Sequence, residues 1–362
     1  MPQFPLIQPG LQHSSARPFS KFTAEIQAMG TPKYPLHIGD SYLQPLQGHS
    51  IEHVRLSDHP ASHKYTQPKG HPALLQAISS QYRIEESRVL VTPGATGGLH
   101  CAVMSLLSPG DEVLVLAPYW PLAAGIIRAV GAKAISVPFY DKEGSVAERL
   151  ASYCTERTVA IYVNTPNNPT GLVLSDSIRE ELAAFARRIN AWIFSDEVYE
   201  QLSFVEDRKP MRSVAPERCI SIFSFSKAYA MAGYRCGFLL LPTPELAVSF
   251  NKSNVNSVYS TSTPAQIAAA NILHNGGEWI QQTRSLYQEI GRECAQRLNL
   301  PMPQGGTFLF FDISAHLKDR SIDQFMRSCI QHGLLLAPGT SFGQGYSNYI
   351  RLCFTCVEPK IT

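Results

Sequence analysis

Short apolar runs alternate with amphipathic stretches between about residues 88 and 226 of the chain. The apolar runs end at glycine, proline or polar positions, which is typical of buried strands. The stretches between them carry apolar residues at helical spacing. This alternation predicts an α/β fold in which a mostly parallel central sheet is flanked by helices. The predicted strands are Arg88–Thr92, Val113–Ala117, Ala134–Pro138, Val159–Asn164, Trp192–Asp196 and Cys219–Phe223, and the predicted helices are Ala95–Leu107, Leu122–Val130 and Ser175–Asn190.

The pattern changes after Gly237, where longer helical stretches and separated strands predict a smaller α+β domain. We expect residues 17–45 to pack against this domain, so that both chain ends contribute to it. The predicted division is an N-terminal segment at 1–45, a large ligand-binding domain at 46–240, and a connection with the C-terminal small domain at 241–362. The elements expected in the last part are helices at about Pro244–Val255, Glu278–Leu298 and Ile322–His332, and strands at Gly306–Asp312 and Tyr349–Phe354.

The charge balance argues against several classes of function. The 362 residues include 31 basic and 29 acidic side chains, which are interspersed and give a formal net charge of +2. Since no basic stripe is present, we expect no nucleic-acid partner. No window approaches the roughly 18 apolar residues that cross a bilayer, and the first residues do not resemble a secretion signal. We therefore expect a cytoplasmic protein with a small-molecule ligand and no membrane partner.

The eight cysteines are far apart and lie mostly in apolar runs, which is typical of reduced, buried thiols. Cys353 and Cys356 form the one C-x-x-C motif of the chain. On a continuous strand their side chains would point to opposite faces, and no second pair completes a zinc site. The histidines at 49, 53, 59 and 63 also lack matching ligands in the sequence. We therefore expect core cysteines and no metal site.

Three segments that follow predicted strands carry chemically distinctive residues. They are the Asn-Asn-Pro-Thr-Gly turn at 167–171, the Ser-Asp-Glu-Val-Tyr run at 195–199, and the stretch of small residues that joins Lys227 to Arg235. In an open α/β sheet, the loops after the strands form the ligand site. Together these segments resemble the pyridoxal-phosphate (PLP) enzymes of fold type I, in particular the class I/II aminotransferases. The resemblance covers about residues 35 to 355 and implies the PLP transferase fold, PLP as the cofactor and an L-α-amino acid as the substrate.

The resemblance gives several residues a role at the PLP ring. Lys227 is expected to hold PLP as a Schiff base and, once substrate displaces it, to move the Cα proton; burial and the nearby Arg235 would lower its pKa. Asp196 is expected to pair with the pyridine nitrogen and so to favour the electron-withdrawing pyridinium. Tyr199 and Asn168 resemble the pair that hydrogen-bonds the phenolic oxygen. Taken singly, these residues also fit a surface lysine, a capping aspartate and an ordinary turn.

The predicted phosphate site lies where the first strand of the sheet runs through a glycine turn into a helix. Free amides at a helix N-terminus and the helix dipole together attract an anion. The resemblance assigns phosphate contacts to Gly94, Ala95, Thr96, Ser224 and Arg235. Trp120 is expected to stack on the PLP ring, and a core tryptophan at a strand end is the other interpretation.

Further likenesses concern the substrate and a second subunit. Tyr65 resembles the tyrosine that reaches the phosphate of the neighbouring subunit, which implies a homodimer with shared active sites. Arg351 resembles the arginine that binds the substrate α-carboxylate through a two-pronged salt bridge, with Asn168 beside it. Gly39 and Asp40 match the loop that lies over the substrate. Asp40 is a candidate to attract a cationic side chain, although turn capping is the commoner role of such an aspartate.

Aminotransfer is the favoured reaction because the asparagine, tyrosine, lysine and arginine positions all match that group. No arginine precedes Tyr259 within residues 254–260, so substrates with a distal acidic group are disfavoured. One alternative, suggested by Asp40, is PLP-dependent elimination and cyclisation of a hydroxylated arginine-like amino acid in specialised metabolism. An alternative of another class is a non-catalytic PLP-sensing module; in regulators such modules carry a DNA-binding region, for which no residues remain here.

Overall fold

A seven-stranded sheet forms the centre of the large domain in the computed structural model, which describes residues 20–140, 144–205 and 209–359. The strands of the protein are β1 (Tyr34–Pro35), β2 (Val89–Thr92), β3 (Glu112–Ala117), β4 (Lys133–Pro138), β5 (Thr158–Asn164), β6 (Trp192–Asp196), β7 (Cys219–Ser224), β8 (Gly237–Leu240), β9 (Phe308–Asp312), β10 (Leu334–Leu335), β11 (Ala337–Pro338) and β12 (Tyr349–Cys353). The order in the large sheet is β2-β8-β7-β6-β5-β3-β4. Only β8 runs against its neighbours in this sheet, so the prediction of a mostly parallel sheet is confirmed.

Helices cover both faces of the large sheet. The helices are α1 (Thr23–Met29), α2 (Pro72–Tyr82), α3 (Gly94–Leu106), α4 (Pro121–Ala129), α5 (Val146–Ala151), α6 (Asp176–Arg188), α7 (Met211–Val214), α8 (Pro244–Val258), α9 (Thr263–Asn275), α10 (Gly277–Arg297), α11 (Ser314–Leu317) and α12 (Ile322–Gln331). Within the described ranges, no helix has both the length and the apolar character needed to span a bilayer.

Strand β3 shows why the central strands have continuous apolar sequences. Successive side chains of a strand point to opposite faces. Val113 and Val115 pack with Leu99 of α3 on one face, while Leu114 packs with Leu182 of α6 on the other. Because both faces are buried, neither face of the strand can be polar. This is the pattern from which the sequence predicts the sheet.

The small domain is built around the antiparallel sheet β11-β12-β9. The N-terminal part of the chain joins this domain, since β1 pairs with β10 and α1 packs against α12. Glu25 and Arg327 form an ion pair at 3.0 Å across the two helices. Helix α1 and strand β1 thus lie against this domain, and residues 1–19 of the predicted segment lie outside the described residues. The domain boundaries at 45 and 240 remain predictions.

Most predicted elements agree with the structure to within two or three residues, and β6 agrees at both ends. Ser175 caps α6, because its side chain accepts a hydrogen bond from the amide of Ile178. Helix α9 was absent from the prediction; its alanine-rich core residues are buried on several sides, which removes the amphipathic signal.

The expected position of the C-x-x-C motif is wrong. The predicted strand Tyr349–Phe354 ends at Cys353, and the chain then bends through residues 354–357. Because of this bend, Cys356 does not continue the strand, and its thiol returns to donate a hydrogen bond to the backbone oxygen of Cys353 at 3.4 Å.

Candidate active site

A cavity of about 810 Å³ lies at the carboxyl ends of the parallel strands, next to the small domain. The loops that follow β2, β3, β5, β6 and β7 all contribute to its wall. The sequence-predicted site residues that line it are Gly39, Ala95, Thr96, Trp120, Asn168, Asp196, Tyr199, Ser224, Lys227, Arg235 and Arg351. The tertiary structure therefore brings most of the predicted residues together.

Lys227 projects into this cavity three residues after the end of β7. Its Nζ atom donates a hydrogen bond to the backbone oxygen of Gly39 at 2.5 Å. Burial lowers the pKa of Lys227, the positive charges of Arg351 and Arg235 lower it further, and Asp40 opposes the effect. The amine is therefore closer to its deprotonated, nucleophilic form than a lysine in water, as expected from the sequence.

Asp196 is the last residue of β6 and is buried. Its Oδ2 atom accepts a hydrogen bond from the hydroxyl of Tyr162 at 2.6 Å, and its Oδ1 atom accepts one from the amide of Val198 at 3.4 Å. Burial raises the pKa of Asp196 to about 6, while these two hydrogen bonds hold it down. A cation placed against this carboxylate would stabilise its ionised form.

Two asparagines link the ends of β5 and β6 to the cavity. Asn164 donates through Nδ2 to the backbone oxygen of Asp196 at 2.9 Å, and its Oδ1 accepts from the amide of Asn168 at 2.6 Å. Asn168 is thereby positioned beside Arg351. Tyr199 is buried next to this group, and burial raises the pKa of its phenol, so it acts as a hydrogen-bond donor at neutral pH.

The opposite end of the cavity has the donor set of an anion site. The side chains of Ser224 and Ser226 are hydrogen-bonded at 2.8 Å, and Arg235 donates from Nη1 to Ser226 Oγ at 3.3 Å. The N-terminus of α3 lies in the same wall through Ala95 and Thr96.

Gly94 makes the close approach of these groups possible. It has a φ of +72°, and a Cβ at this position would lie 2.7 Å from Nη2 of Arg235. Any other residue would therefore carry backbone strain and also push the guanidinium away from the helix N-terminus. Gly94 itself does not line the cavity; it supports the residues that do.

Arg351 is buried at the third side of the cavity, on β12. Its Nη1 donates to Oδ1 of Asn168 at 2.8 Å and its Nη2 donates to the backbone oxygen of His37 at 2.6 Å. Its Nε has no hydrogen-bond partner among the described residues. The guanidinium also stacks on Phe308, 4.2 Å from the ring centroid. A buried guanidinium held only by neutral acceptors is a site for a carboxylate.

Besides Gly94, two predicted site residues lie outside the cavity lining, Tyr65 and Asp40. Tyr65 is 82% exposed, and its ring centroid lies 4.6 Å from that of Tyr259. Asp40 is exposed, and its Oδ1 accepts a hydrogen bond from the amide of Ser41 at 2.9 Å, which is the turn-capping alternative. The neighbouring Gly39 does line the cavity and is pressed against Phe308.

Several lining or supporting residues were not found from the sequence. His37, Ser226, Asn164 and Phe342 line the cavity, and Tyr162 supports Asp196 from outside it. Asn164 ends the predicted strand before the 167–171 turn and Ser226 directly precedes Lys227, so their position beside the identified residues is the available signal. Tyr162 gave no signal, because a tyrosine within an apolar strand is typical of a core residue.

The arrangement fits PLP. It offers an amine with a lowered pKa, a buried carboxylate that a ring cation would stabilise, and hydroxyl, guanidinium and helix amide donors for a phosphate. The close approach at Gly94 keeps the anion donors together, and the unpaired Nε of Arg351 leaves a donor for the substrate.

The chain matches the family model for aminotransferase class I and II over residues 35–361. This chain belongs to that family. It is 30% identical over 321 residues to an aspartate/prephenate aminotransferase of Thermus thermophilus, which spans 82% of this chain and 80% of the relative. It is 32% identical over 299 residues to an aromatic-amino-acid aminotransferase of Thermococcus litoralis, with 76% and 74% covered.

A solved structure of a Thermus thermophilus aspartate aminotransferase double mutant superposes with a TM-score of 0.89 at 26% identity, covering 99% of this chain and 97% of that one. The fold-type expectation is thus confirmed. As a class I and II aminotransferase, the protein is a PLP-dependent enzyme that moves an amino group between small amino-acid and keto-acid substrates.

Proposed function

We propose that this aminotransferase acts on L-amino acids with a neutral, apolar side chain. The observation that carries the proposal is the separation of charge within the cavity. The charged lining residues are Asp196, Lys227, Arg235 and Arg351, and each has a role at the cofactor or the α-carboxylate. The other lining side chains considered for the substrate carry no charge and are here called the outer wall: Ile26, Ile38, Pro121, Leu122 and Phe342, which are apolar, and Thr23 and Gln27, which are neutral and polar.

In this proposal Lys227 would hold PLP through its ε-amine, Asp196 would pair with the ring nitrogen, and Ser224 and Arg235 would bind the phosphate. When bound, PLP supplies an electron sink for the bond that breaks at the substrate Cα. The lowered pKa of Lys227 suits the transfer of the Cα proton, because a general base works best near the ambient pH. Tyr162 holds the carboxylate of Asp196 in place through its hydroxyl.

Arg351 and Asn168 orient the substrate. A carboxylate that enters would accept from the guanidinium in place of the neutral oxygens of Asn168 and His37, and it would satisfy the free Nε. Burial and the charge of Arg351 lower the pKa of His37 to about 4, so His37 stays neutral and does not compete for the carboxylate. A fixed carboxylate also fixes the direction of the Cα–H bond.

The side chain of the substrate would then meet the outer wall. An aspartate or glutamate side chain would place a second carboxylate there without a cationic partner from the described part of this chain, at a substantial desolvation cost. Among the relatives, one is named for aromatic amino acids and others for aspartate. The composition of the wall favours the first kind of substrate.

The cyclisation alternative gains no support from the site. It requires an anionic group for a guanidinium side chain, and Asp40, its candidate, lies outside the lining and caps its own turn.

We further propose a homodimer in which Tyr65 reaches the second active site. A cytoplasmic location is also proposed, because the eight cysteines are all free thiols, which suits a reducing compartment.

Steady-state kinetics with one keto-acid acceptor test the substrate proposal. We expect kcat/KM for phenylalanine or leucine to exceed that for aspartate by at least about tenfold, because an unpaired carboxylate is costly to bury. Leu122→Arg should raise the relative rate with aspartate, and Leu122→Met is the matched control. A wild-type preference for aspartate would overturn the proposal.

The anchor is tested separately with borohydride, which fixes PLP to its lysine. Intact mass should show fixation in the wild type and in Lys252→Ala, whose lysine is exposed on α8, and none in Lys227→Ala. Fixation that persists in Lys227→Ala would assign the anchor to another lysine.

A further inference from the structure

The C-x-x-C motif lies at the end of the strand that carries Arg351. Cys353 is the last residue of β12, and its Sγ lies 3.5 Å from Thr355 Oγ1. The thiol of Cys356 donates to the backbone oxygen of Cys353 at 3.4 Å and to that of Pro35 at 3.3 Å. The bend after Cys353 thus brings the second cysteine back beside the first.

The bend places both thiols in one turn, with the Cys356 sulfur 3.4 Å from the backbone oxygen of Cys353 and the Cys353 sulfur 3.5 Å from Thr355 Oγ1. Burial opposes ionisation of the Cys353 thiol, but hydrogen bonding at its sulfur and the positive charge of Arg351 lower its pKa. The Cys353 sulfur is therefore suited to attack a neighbouring sulfur once that sulfur is oxidised.

The two cysteines of the pair differ from each other in their exposure to solvent. Cys353 is fully buried, whereas Cys356 is partly exposed. Cys154 is also partly exposed, while Cys101, Cys219, Cys236, Cys294 and Cys329 are buried. An oxidant can therefore enter at Cys356, where the neighbouring Cys353 can resolve the product.

We propose that Cys353 and Cys356 form an oxidisable dithiol whose conversion to a disulfide weakens the binding of the substrate carboxylate. With a hydroperoxide as oxidant, the Cys356 sulfur attacks the peroxide and the O–O bond breaks, which leaves a sulfenic acid and releases water or an alcohol. The Cys353 sulfur then attacks the Cys356 sulfur; the S–O bond breaks and the oxygen leaves with the remaining protons as water. Two electrons pass from the thiols to the peroxide.

The link to the active site is the segment at residues 35–40, here named the strap. Both thiols hold it, since Cys356 donates to Pro35 O and Cys353 donates to Asp40 O at 3.8 Å. Between those two points, the strap oxygens of His37 and Gly39 accept from Arg351 and Lys227. A disulfide removes both S–H donors, and its S–S bond of about 2.05 Å is much shorter than a contact between thiols. The turn must tighten, and the strap, still held by Thr355 Oγ1 at Asp40 O and by the Cys353 amide at Leu36 O, shifts beside Arg351.

Formation of the disulfide requires no assumption about the substrate. The effect of the disulfide on substrate binding rests on the proposed role of Arg351. Holoenzyme is treated with hydrogen peroxide or diamide and mapped by mass spectrometry. We expect a loss of two hydrogen atoms in the peptide that contains residues 353 and 356, reversed by dithiothreitol. Cys356→Ser should abolish this change, and Cys154→Ser, the matched control, should leave it intact. Absence of a 353–356 disulfide, with Cys154 oxidised instead, would overturn the proposal.

Steady-state kinetics test whether oxidation of the two thiols weakens binding of the amino acid. Oxidised wild-type enzyme should show a KM for the amino acid at least about threefold higher than the reduced enzyme, with a smaller change in kcat, because binding of the carboxylate is affected more than proton transfer. Oxidant-treated Cys356→Ser should keep the KM of the reduced form. A disulfide that forms without changing KM would refute the coupling. If neither redox form transfers an amino group from any amino acid, the proposed function fails, and the mapping still decides whether the thiol pair forms.

Discussion

Burial acts on the charged residues of the site in a way that suits their proposed chemistry. It lowers the pKa of Lys227 and raises the pKa of Asp196 to about 6, because a low-dielectric environment disfavours the charged form of each. Tyr162 and Val198 partly restore the ionised form of Asp196 by hydrogen bonding. The aspartate is thus poised to ionise when a cation is placed against it.

Asp196→Asn should lower kcat/KM for aminotransfer by about 10²- to 10³-fold, because a neutral amide cannot stabilise a positive charge on the ring nitrogen. The amide has nearly the same size as the carboxylate, so the fold is retained. Steady-state kinetics with saturating PLP measure the loss, and near-ultraviolet circular dichroism checks the packing. Activity within twofold of the wild type would contradict the assigned role.

The same residue predicts how stability depends on pH in cofactor-stripped protein. The folded chain holds the proton of Asp196 up to about pH 6, whereas an unfolded aspartate loses it near 3.8. Below pH 3.8 this proton gives its full contribution to the free energy of unfolding. The contribution is lost as the pH rises towards 6, and its size is on the order of 3 kcal/mol. Urea unfolding at several pH values should therefore show the free energy of unfolding of the wild type falling relative to Asp196→Asn across this window. Parallel curves for the two proteins would show that burial does not perturb this carboxyl group.

At the scale of elements, the phosphate site depends on how closely the N-terminus of α3 approaches the first residue of β8. A Cβ on Gly237 would lie 2.8 Å from the backbone of Gly94, and a Cβ on Gly94 would meet Arg235. Two glycines on separate elements therefore allow one close contact between β8 and the N-terminus of α3. The anion donors converge because of this contact.

Gly94→Ala should weaken PLP binding by at least about tenfold, because the added methyl displaces the Arg235 guanidinium in addition to straining a backbone with φ of +72°. Gly48→Ala is the matched control, since Gly48 has φ of +81° but open space at its Cβ. Both variants should lose a similar free energy of unfolding from the strained backbone, about 1 kcal/mol. Absorbance titration of cofactor-stripped protein with PLP measures the difference, and equal PLP affinities in the two variants would remove the crowding argument.

At the scale of the whole molecule, the predicted site residue Tyr65 lies on the exposed surface, outside the cavity lining of its own chain. Tyr65 is 82% exposed and packs against Tyr259, which is itself 44% exposed and has a φ of +63°. Two exposed aromatic rings in contact, tilted at 51° to each other, are unusual on a free surface and suit a contact with another subunit. This placement supports the proposed homodimer.

Complementation tests the shared site. Tyr65→Ala and Lys227→Ala should each be nearly inactive alone, because each removes one part of every site. After the two variants are mixed, unfolded and refolded together, hybrid dimers hold one intact site, and about a quarter of the wild-type activity should return at equal mixing. A mixture that remains inactive while exchanging subunits, as shown by native mass spectrometry, would place Tyr65 outside the active site.

The sequence by itself determined the parallel sheet, since strand segments that are buried on both faces are apolar, as in Val113–Ala117 of β3. It also determined where the chemistry lies, because Asp196 ends a strand, Lys227 and Asn168 follow strands, and parallel strands end at one edge. Only the tertiary structure decided the contacts between distant segments. The hydrogen bond from Lys227 to Gly39, the contact of Arg351 with Asn168 and the return of Cys356 to Cys353 each depend on a bend or a domain contact. No local spacing encodes these contacts, because packing between remote elements sets their distances.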